Sequence, residues 1–258
     1  MSEPSIVVLA SRGPTTYLLI NDLAARFTIS QVIFEQSHRA AMIRYRLKKL
    51  GPWILAGQMA FLVWDRLAIQ PRSQPRIDQL LKGHDISPPD SRIPTIDVDS
   101  VNQAEVIERV RQLNPRAVVV SGTRIIGRRM LATAPRFINI HCGITPRYRG
   151  VAGAFWAVYE NKPELAGTTI HLIDPGVDTG EIIGQATIQV ERDDTYRTLP
   201  VKQYLAGLPV MAQGIEAALS GKLSTYQRDD LESQQWYSPT PAEYWQYRRN
   251  LMKLKSNP

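Results

Sequence analysis

Short apolar runs alternate with amphipathic segments along most of the 258-residue chain. Runs such as residues 6–9 (IVVL) and 118–120 (VVV) are continuous enough to be strands buried on both faces. Alternation of such strands with helices favours a mostly parallel sheet covered by helices on both faces, the α/β class. The predicted strands are residues 5–13 (ending in a glycine turn), 29–37, 95–99, 116–122, 136–141, 167–173 and 181–190.

The segments between these strands carry apolar residues at helical spacing. The last two strands flank a short connection, DPGVDTG, and so predict a mixed edge to the sheet. Residues 71–94 are rich in proline and predict a loop with at most one short helix. The predicted helices are residues 15–27, 39–67 with a break at Gly51-Pro52, 101–113 with a capping box formed by Ser100 and Gln103, and 196–221 with Pro209 as a candidate break. The domain prediction is one α/β domain over residues 1–220 and a polar, aromatic C-terminal extension over 221–258.

Composition places the chain among ordinary globular proteins, with 43% hydrophobic and 21% charged residues. The single cysteine, Cys142, leaves no internal disulfide and fits a reducing, cytoplasmic compartment. The first residues lack the basic start of a secretory signal. The most apolar stretch, residues 50–64, is shorter than the roughly 20 residues that cross a bilayer and is interrupted by Gln58. We expect a core or interface helix there rather than a membrane-surface element, and no membrane span.

The net charge of +7 is concentrated near residues 37–49 and at the C-terminus. Such a run is usually the solvated face of a helix. A phosphate-bearing substrate or a tRNA is compatible with it, but the charge alone supports neither.

The stretch NIHCGITPRYRG, residues 139–150, places two polar side chains where a buried strand ends. Asn139 and His141 are two positions apart, so they point to the same side of the strand, while Ile140 and Cys142 point away. Ligands of open α/β sheets lie beyond the carboxyl ends of the strands. An amide that donates to an oxyanion and an imidazole that handles protons suit acyl transfer.

Such an imidazole needs a carboxylate to orient it, and the connection DPGVDTG supplies Asp174 and Asp178. Asp178 stands between glycines at positions 176 and 180, which allow close backbone approach to a ligand. From the residues alone, a capped strand and an aspartate turn are the preferred interpretation of this pattern. Cys142 is not expected to be a nucleophile, because it points away from His141.

The two stretches NIHCGITPRYRG and GTTIHLIDPGVDTGEIIGQ together resemble the folate-dependent formyltransferase family, which includes glycinamide ribonucleotide, methionyl-tRNA and sugar N-formyltransferases. The family pattern is Asn-x-His, a proline and glycine turn, a strand and then Asp-x-Gly. Asn139, His141, Asp178 and Gly180 fall on those positions in order. The resemblance is strongest over residues 117–190.

This resemblance implies a Rossmann-like domain that transfers a formyl group from 10-formyltetrahydrofolate to an amine. It implies that Asn139 and protonated His141 stabilise the oxyanion, and that Asp178 holds His141. His171 matches a histidine of the glycinamide ribonucleotide and sugar branches, where either a supporting or a structural role would fit. No metal is expected, since His38 and His84 have no partner spacing for one. The implied folate-binding residues are Gly122, Arg124, Ile125, Ile126, Asp174 and Gly176.

The acceptor is less clear from the sequence. The stretch ASRGPTTY, residues 10–17, stands where the purine enzymes have a glycine-rich phosphate loop, but Pro14 removes a backbone N–H there. The tRNA branch carries a further β-domain, for which about 40 residues after the last helix are too few, so no nucleic acid is expected. An amino sugar, carried on a nucleotide, is the favoured acceptor. Glycinamide ribonucleotide, water in a formyltetrahydrofolate hydrolase, or binding without catalysis are the alternatives. Residues 36–90 could shape an acceptor pocket or a homodimer contact. The candidate acceptor-binding residues are Ser11, Arg12, Gly13, Thr15 and Thr16.

Overall fold

A seven-stranded twisted sheet forms the centre of the computed structural model, which describes residues 5–36 and 47–254. Its order is β3-β2-β1-β4-β5-β7-β8. The first five strands in this order are parallel, and β7 and β8 are antiparallel to their neighbours. A separate two-stranded pair joins β6 to β9. The strands are β1 Ile6–Ala10, β2 Ile29–Glu35, β3 Thr95–Val98, β4 Ala117–Ser121, β5 Phe137–His141, β6 Arg149–Gly150, β7 Gly167–Leu172, β8 Ile182–Thr187 and β9 Gln235–Trp236.

Helices cover both faces of the sheet. A π-helical turn, Asp65–Ile69, joins α2 to α3, and a 3₁₀ turn, Pro163–Leu165, precedes β7. No helix in the described ranges is long and apolar enough to cross a membrane. The helices are α1 Pro14–Ala24, α2 Pro52–Trp64, α3 Gln70–Leu80, α4 Ala104–Leu113, α5 Arg128–Leu131, α6 Gly153–Tyr159, α7 Thr198–Leu219 and α8 Pro241–Lys253.

Alternate residues of the central strands enter two different cores. Ile6 and Val8 of β1 pack with residues of α1 and α7, whereas Val7 and Leu9 pack with residues of α4. The buried strands therefore supply apolar side chains to both faces, as continuous hydrophobic runs do in parallel sheets. A third core lies between α2, α6 and α8, with Phe61, Phe155 and Tyr247 fully enclosed. The predicted α/β class, the helices on both faces and the mixed edge are confirmed.

Prolines lie within two helices, and the predicted break at Pro209 is wrong. The segment 71–94 consists, as predicted, of one helix and a loop, since α3 runs from Gln70 to Leu80 through Pro75 and irregular chain follows it. Buried Ser73 anchors α3, because its hydroxyl donates to the Ile69 carbonyl and lies 2.7 Å from the Thr195 hydroxyl. Helix α7 passes through Pro209 without a break. Pro209 is exposed, and burial of Leu208 and Met211 on either side holds the helix across it.

One helix start also differs from prediction. Helix α4 begins at Ala104, not at Val101, and has no side-chain cap. The Val101 N–H donates instead to the carboxylate of Glu35, which is distant in sequence. Within the predicted polar, aromatic C-terminal extension, α8 begins with a capping box between Thr240 and Glu243. Residues 37–46, with the predicted start of the second helix and His38, lie outside the described residues.

Candidate active site

The end of β5 presents Asn139 and His141 on one side of the sheet. Ile138, which precedes Asn139, and Ile140, which lies between Asn139 and His141, enter the core beneath α7. This is the alternation that the sequence predicts. Ser11 follows β1, Gly122 follows β4 and His141 ends β5. The three positions therefore mark the carboxyl edge of neighbouring parallel strands, where ligands bind in open α/β sheets.

Asp178 reaches this edge from the connection between β7 and β8. Its backbone is in the left-handed region, at φ 52°. Its Oδ2 accepts from the Gly150 N–H at 2.8 Å and lies 3.4 Å from Nδ1 of His141. Gly180 allows the connection to pass close to the end of β7, because a Cβ there would lie 1.7 Å from the Leu172 carbonyl oxygen. The spacing of Asp178 and Gly180 thus reflects a close backbone approach as well as a carboxylate.

His141 has an oxygen acceptor at each ring nitrogen. Nε2 lies 2.7 Å from the carbonyl oxygen of Tyr148, which can only accept, so Nε2 carries a proton. Nδ1 faces the Asp178 carboxylate. The ring is 6% exposed. This arrangement accommodates a proton on each nitrogen and fixes the plane of the imidazole.

His171 lies on β7, directly opposite Asn139 of β5. Its Nδ1 is 2.8 Å from the Leu172 carbonyl, which places the proton on Nδ1. Nε2 can then accept from the Asn139 amide nitrogen at 3.0 Å. Nε2 also lies 3.6 Å from Oδ1 of Asp178. The 3.0 Å contact with His171 sets the orientation of the Asn139 amide. The Asp178 carboxylate lies between the imidazoles of His141 and His171.

The electrostatics of this group favour an ionised Asp178. Burial raises the pKa of its carboxyl, but the charge of His141 and the Gly150 N–H lower it. The net effect is a pKa well below the usual range. The neighbouring Cys142 behaves oppositely, because burial and the charge of Asp178 raise the pKa of its thiol to about 12. A neutral thiol is a poor nucleophile.

A cavity of about 900 Å³ opens above these residues. Asn139, His141 and Asp178 line it together. The residues predicted to bind folate also line it, namely Gly122, Arg124, Ile125, Ile126, Asp174 and Gly176.

Buried Glu35 holds one wall of the cavity in place. Its carboxylate accepts from the backbone N–H of Arg124 at 2.7 Å and from the Arg124 Nε at 3.2 Å. It also accepts from the Val101 N–H at 3.0 Å. Glu35 therefore fixes the loop after β4 to the segment that follows β3, a link that the sequence did not reveal.

Most of the residues predicted to bind the acceptor do not line the cavity. Ser11 lines the cavity, whereas Arg12, Gly13, Thr15 and Thr16 lie outside its lining. Arg12 forms two hydrogen bonds with Asp97, at 2.8 and 2.7 Å, and lies 4.1 Å above the Phe34 ring. Thr16 is buried in α1.

A further wall of the cavity is formed by Gln235, Trp236 and Tyr237, which sequence reasoning did not place in the site. Strand β9 pairs with β6, so Trp236 lies opposite Gly150, the residue that donates to Asp178. The Trp236 ring stacks on Trp156, with centroids 4.5 Å apart. The aromatic content of the C-terminal segment was the available signal, but no spacing rule connects it to β6.

One group of acidic residues in the described ranges is close enough to hold a metal: Glu191, Asp193 and Asp194. Its carboxylates are already paired with cations. Lys202 contacts Glu191 and Asp194, and Arg76 contacts Glu191 and Asp193. These ion pairs give the group a structural role, since they join the segment before α7 to α7 and α3.

Comparison with known proteins identifies relatives of part of the chain and of its fold. Part of the chain is 32% identical over 134 residues to methionyl-tRNA formyltransferase of Caldanaerobacter subterraneus, covering 51% of this chain and 43% of that protein. The chain thus spans less than half the length of the curated relatives it matches.

Two solved structures share the fold. Phosphoribosylglycinamide formyltransferase of Anaplasma phagocytophilum matches with a TM-score of 0.56 and 20% identity, covering 90% of this chain and 93% of that one. The N-formyltransferase of Helicobacter canadensis, solved with folinic acid and dTDP-3-aminofucose, matches with a TM-score of 0.56 and 15% identity, covering 95% and 80%. The formyl transferase family model matches residues 73–207, just over half of the chain. The chain therefore belongs to the formyl transferase family.

Proposed function

We propose that this protein transfers a formyl group from 10-formyltetrahydrofolate to the primary amine of a small acceptor, an amino sugar carried on a nucleotide. The observation that carries the proposal is the convergence of Asn139, His141 and Asp178 on one cavity. The cavity volume of about 900 Å³ lies within the usual range for small-molecule sites. Family membership supports the reaction type.

The reaction requires stabilisation of a developing oxyanion. The acceptor nitrogen attacks the formyl carbon, the carbonyl oxygen gains charge, and the bond from that carbon to folate nitrogen then breaks. The amide of Asn139 has two N–H donors, of which one is directed at His171, so the other is free for the oxyanion. The adjacent imidazole of His141 adds positive charge when it is protonated on both nitrogens.

Asp178 and His141 together carry out the proton transfers of the proposed reaction. The carboxylate faces Nδ1 of His141 and is itself fixed by the Gly150 N–H. As the amine becomes an amide it loses a proton, which the His141 and Asp178 pair can accept and return to the leaving folate nitrogen. The low pKa of Asp178 means that its usual role in this pair is to orient and charge His141.

Folate is assigned to the side of the cavity formed by the loop after β4 and the Asp174–Asp178 connection. This side carries the apolar side chains of Ile125 and Ile126 and the backbone of Arg124, which Glu35 holds. A flat ring with polar edges suits apolar walls with a few fixed backbone groups. Folinic acid bound to the Helicobacter canadensis neighbour supports a folate as donor.

The acceptor is assigned to the wall formed by Gln235, Trp236 and Tyr237. Asp97 forms two hydrogen bonds with Arg12, so the positive charge of the loop after β1 is already paired and is not available to bind a substrate phosphate. This argues against glycinamide ribonucleotide as the acceptor. The aromatic wall suits the faces of a sugar or base. Lys49 lies with its Nζ 5.5 Å from the Tyr237 ring centroid and brings positive charge to this wall, which suits a nucleotide phosphate.

The test is incubation with 10-formyltetrahydrofolate and a panel of amines, with tetrahydrofolate release followed by absorbance. The panel contains nucleotide-linked amino sugars, glycinamide ribonucleotide and charged methionyl-tRNA. We expect release that depends on an amino sugar and is lost in Asp178→Asn. Asp78→Asn, an exposed aspartate on α3, is the matched control and should retain activity. Release with no amine present would instead identify a hydrolase, and release only with another panel member would overturn the acceptor assignment.

A further inference from the structure

Helix α2 and the π-helical turn that follows it have one buried and one exposed face. The buried face packs against the domain with Phe61 and Ile69 and also carries the polar Gln58 and Asp65. The other face is formed by Trp53, Ala56, Ala60, Val63 and Leu67, spaced by three and four residues in alternation, and every one of them is exposed. Trp53 is 87% exposed and Leu67 is 74% exposed. An apolar face of a helix is normally buried.

Helix α8 extends this exposed surface. Trp245 is 67% exposed, and its ring stacks on Trp64 of α2 with centroids 6.3 Å apart. Met252, seven residues further along α8, is also exposed on that side. We call this continuous surface the α2–α8 face. Its apolar members are Trp53, Ala56, Ala60, Val63, Leu67, Trp245 and Met252.

The charges beside the α2–α8 face have one sign. Arg66, Arg249 and Lys253 are exposed and have no ion pair within the described part of the chain. The acidic residues of these elements do not offset them. Asp65 is buried against Arg197, and the Glu243 carboxylate is held in the cap of α8. The face is therefore apolar with a cationic rim.

We propose that the α2–α8 face binds the surface of an anionic lipid bilayer. An apolar helix with tryptophans and a basic rim lies in the interface plane of such membranes, with the tryptophans at headgroup level. The 13 residues of α2 are too few to cross the bilayer. Pairing with a second copy through the same face would bring like-charged rims together, which opposes association.

The same face begins at the cavity wall. Lys49, whose Nζ lies above the Tyr237 ring, is three residues before the start of α2. Tyr237 is four residues before the start of α8. Binding through the α2–α8 face would hold the entrance of the cavity close to the lipid headgroups. This proposal is independent of formyl transfer and is tested without any assay of activity.

The test is co-sedimentation of the full chain with vesicles of phosphatidylcholine alone and of phosphatidylcholine with phosphatidylglycerol. We expect binding to the anionic vesicles that weakens as salt is raised. The double variant Trp53→Glu/Leu67→Glu should lose at least about tenfold in partitioning, because it places charge in the apolar stripe. Ile86→Glu changes an exposed apolar residue away from the α2–α8 face and should bind as the parent does. Circular dichroism and thermal melting confirm that each variant is folded.

Sedimentation velocity without lipid completes the test. A monomer that binds only anionic vesicles supports the proposal. A dimer that dissociates in Trp53→Glu/Leu67→Glu assigns the α2–α8 face to a second copy and overturns it. Absence of vesicle binding by the folded parent overturns it as well, and so does a double variant that binds as tightly as the parent.

Discussion

The imidazole of His171 orients the side-chain amide of Asn139 across two antiparallel strands. The Leu172 carbonyl sets the proton of His171 on Nδ1, which leaves Nε2 to accept from the Asn139 amide nitrogen at 3.0 Å. The register of β5 and β7 places the two residues opposite each other. The amide nitrogen of Asn139 is therefore held in place by the fold before any ligand binds.

On the proposed reaction, Asn139→Ala should lower kcat by ~100- to 1,000-fold, as removal of one oxyanion donor does. His171→Ala should lower kcat by about tenfold, the worth of one net hydrogen bond. The double variant should be no slower than Asn139→Ala, because His171 acts through Asn139. His171→Gln, which can still accept from the amide, should recover part of the loss. Steady-state kcat of the four variants checks this, and additive losses in the double variant would contradict it.

Asp178→Asn should change how stability depends on pH. The pKa of Asp178 is lower in the folded protein than the value of about 3.9 for an unfolded aspartate. Its carboxylate therefore contributes stability that is fully present above about pH 4 and is lost as pH falls toward the folded pKa. The difference in unfolding free energy between parent and variant should shrink as pH falls below about pH 4. Urea titrations across this range measure it, and a difference that grows on acidification would exclude the assignment.

Gly180→Ala should destabilise the fold by about 2 kcal/mol or more, since overpacking costs of this order arise when backbone must shift. The added Cβ would lie 1.7 Å from the Leu172 carbonyl oxygen, and backbone cannot yield as a flexible side chain does. Gly13→Ala is the comparison, because a Cβ there meets nothing within 4 Å. Its cost should stay near ~1 kcal/mol or below, the range for a helix cap. Equal losses of unfolding free energy for both variants would show that contact with Leu172 is not the cause.

The sequence predicted the features that depend on short spacing. Asn139 and His141 share a face because they are two apart on a strand, and the prediction needed no other part of the chain. Contacts between segments that are far apart in the sequence could not be predicted from such spacing. Glu35 accepts from the Val101 N–H at the predicted helix start, and Asp97 binds Arg12, which had been predicted to bind the acceptor. Pairing of β9 with β6 likewise joins residues about 85 positions apart, which no periodicity encodes.

Trp236 gives the sharpest test of the acceptor wall. Its ring stacks on Trp156 at 4.5 Å, and its Nε1 donates to the Arg147 carbonyl at 3.1 Å. The β6–β9 pairing uses backbone groups of Trp236, so Trp236→Ala removes the indole ring from the wall while leaving those groups in place.

On the proposed assignment, Trp236→Ala should raise KM for the amine by about tenfold or more, a loss comparable to one aromatic stacking contact and its desolvation. The dissociation constant for folate, measured by fluorescence or calorimetry, should stay within about twofold, because Ile125 and Ile126 form a separate wall. Trp236→Phe keeps a stacking ring and loses only the Nε1 donor, so its KM should lie close to the parent value. If Trp236→Ala weakened folate binding as much as amine binding, the two walls would serve one ligand, and the acceptor would have to be placed elsewhere in the cavity.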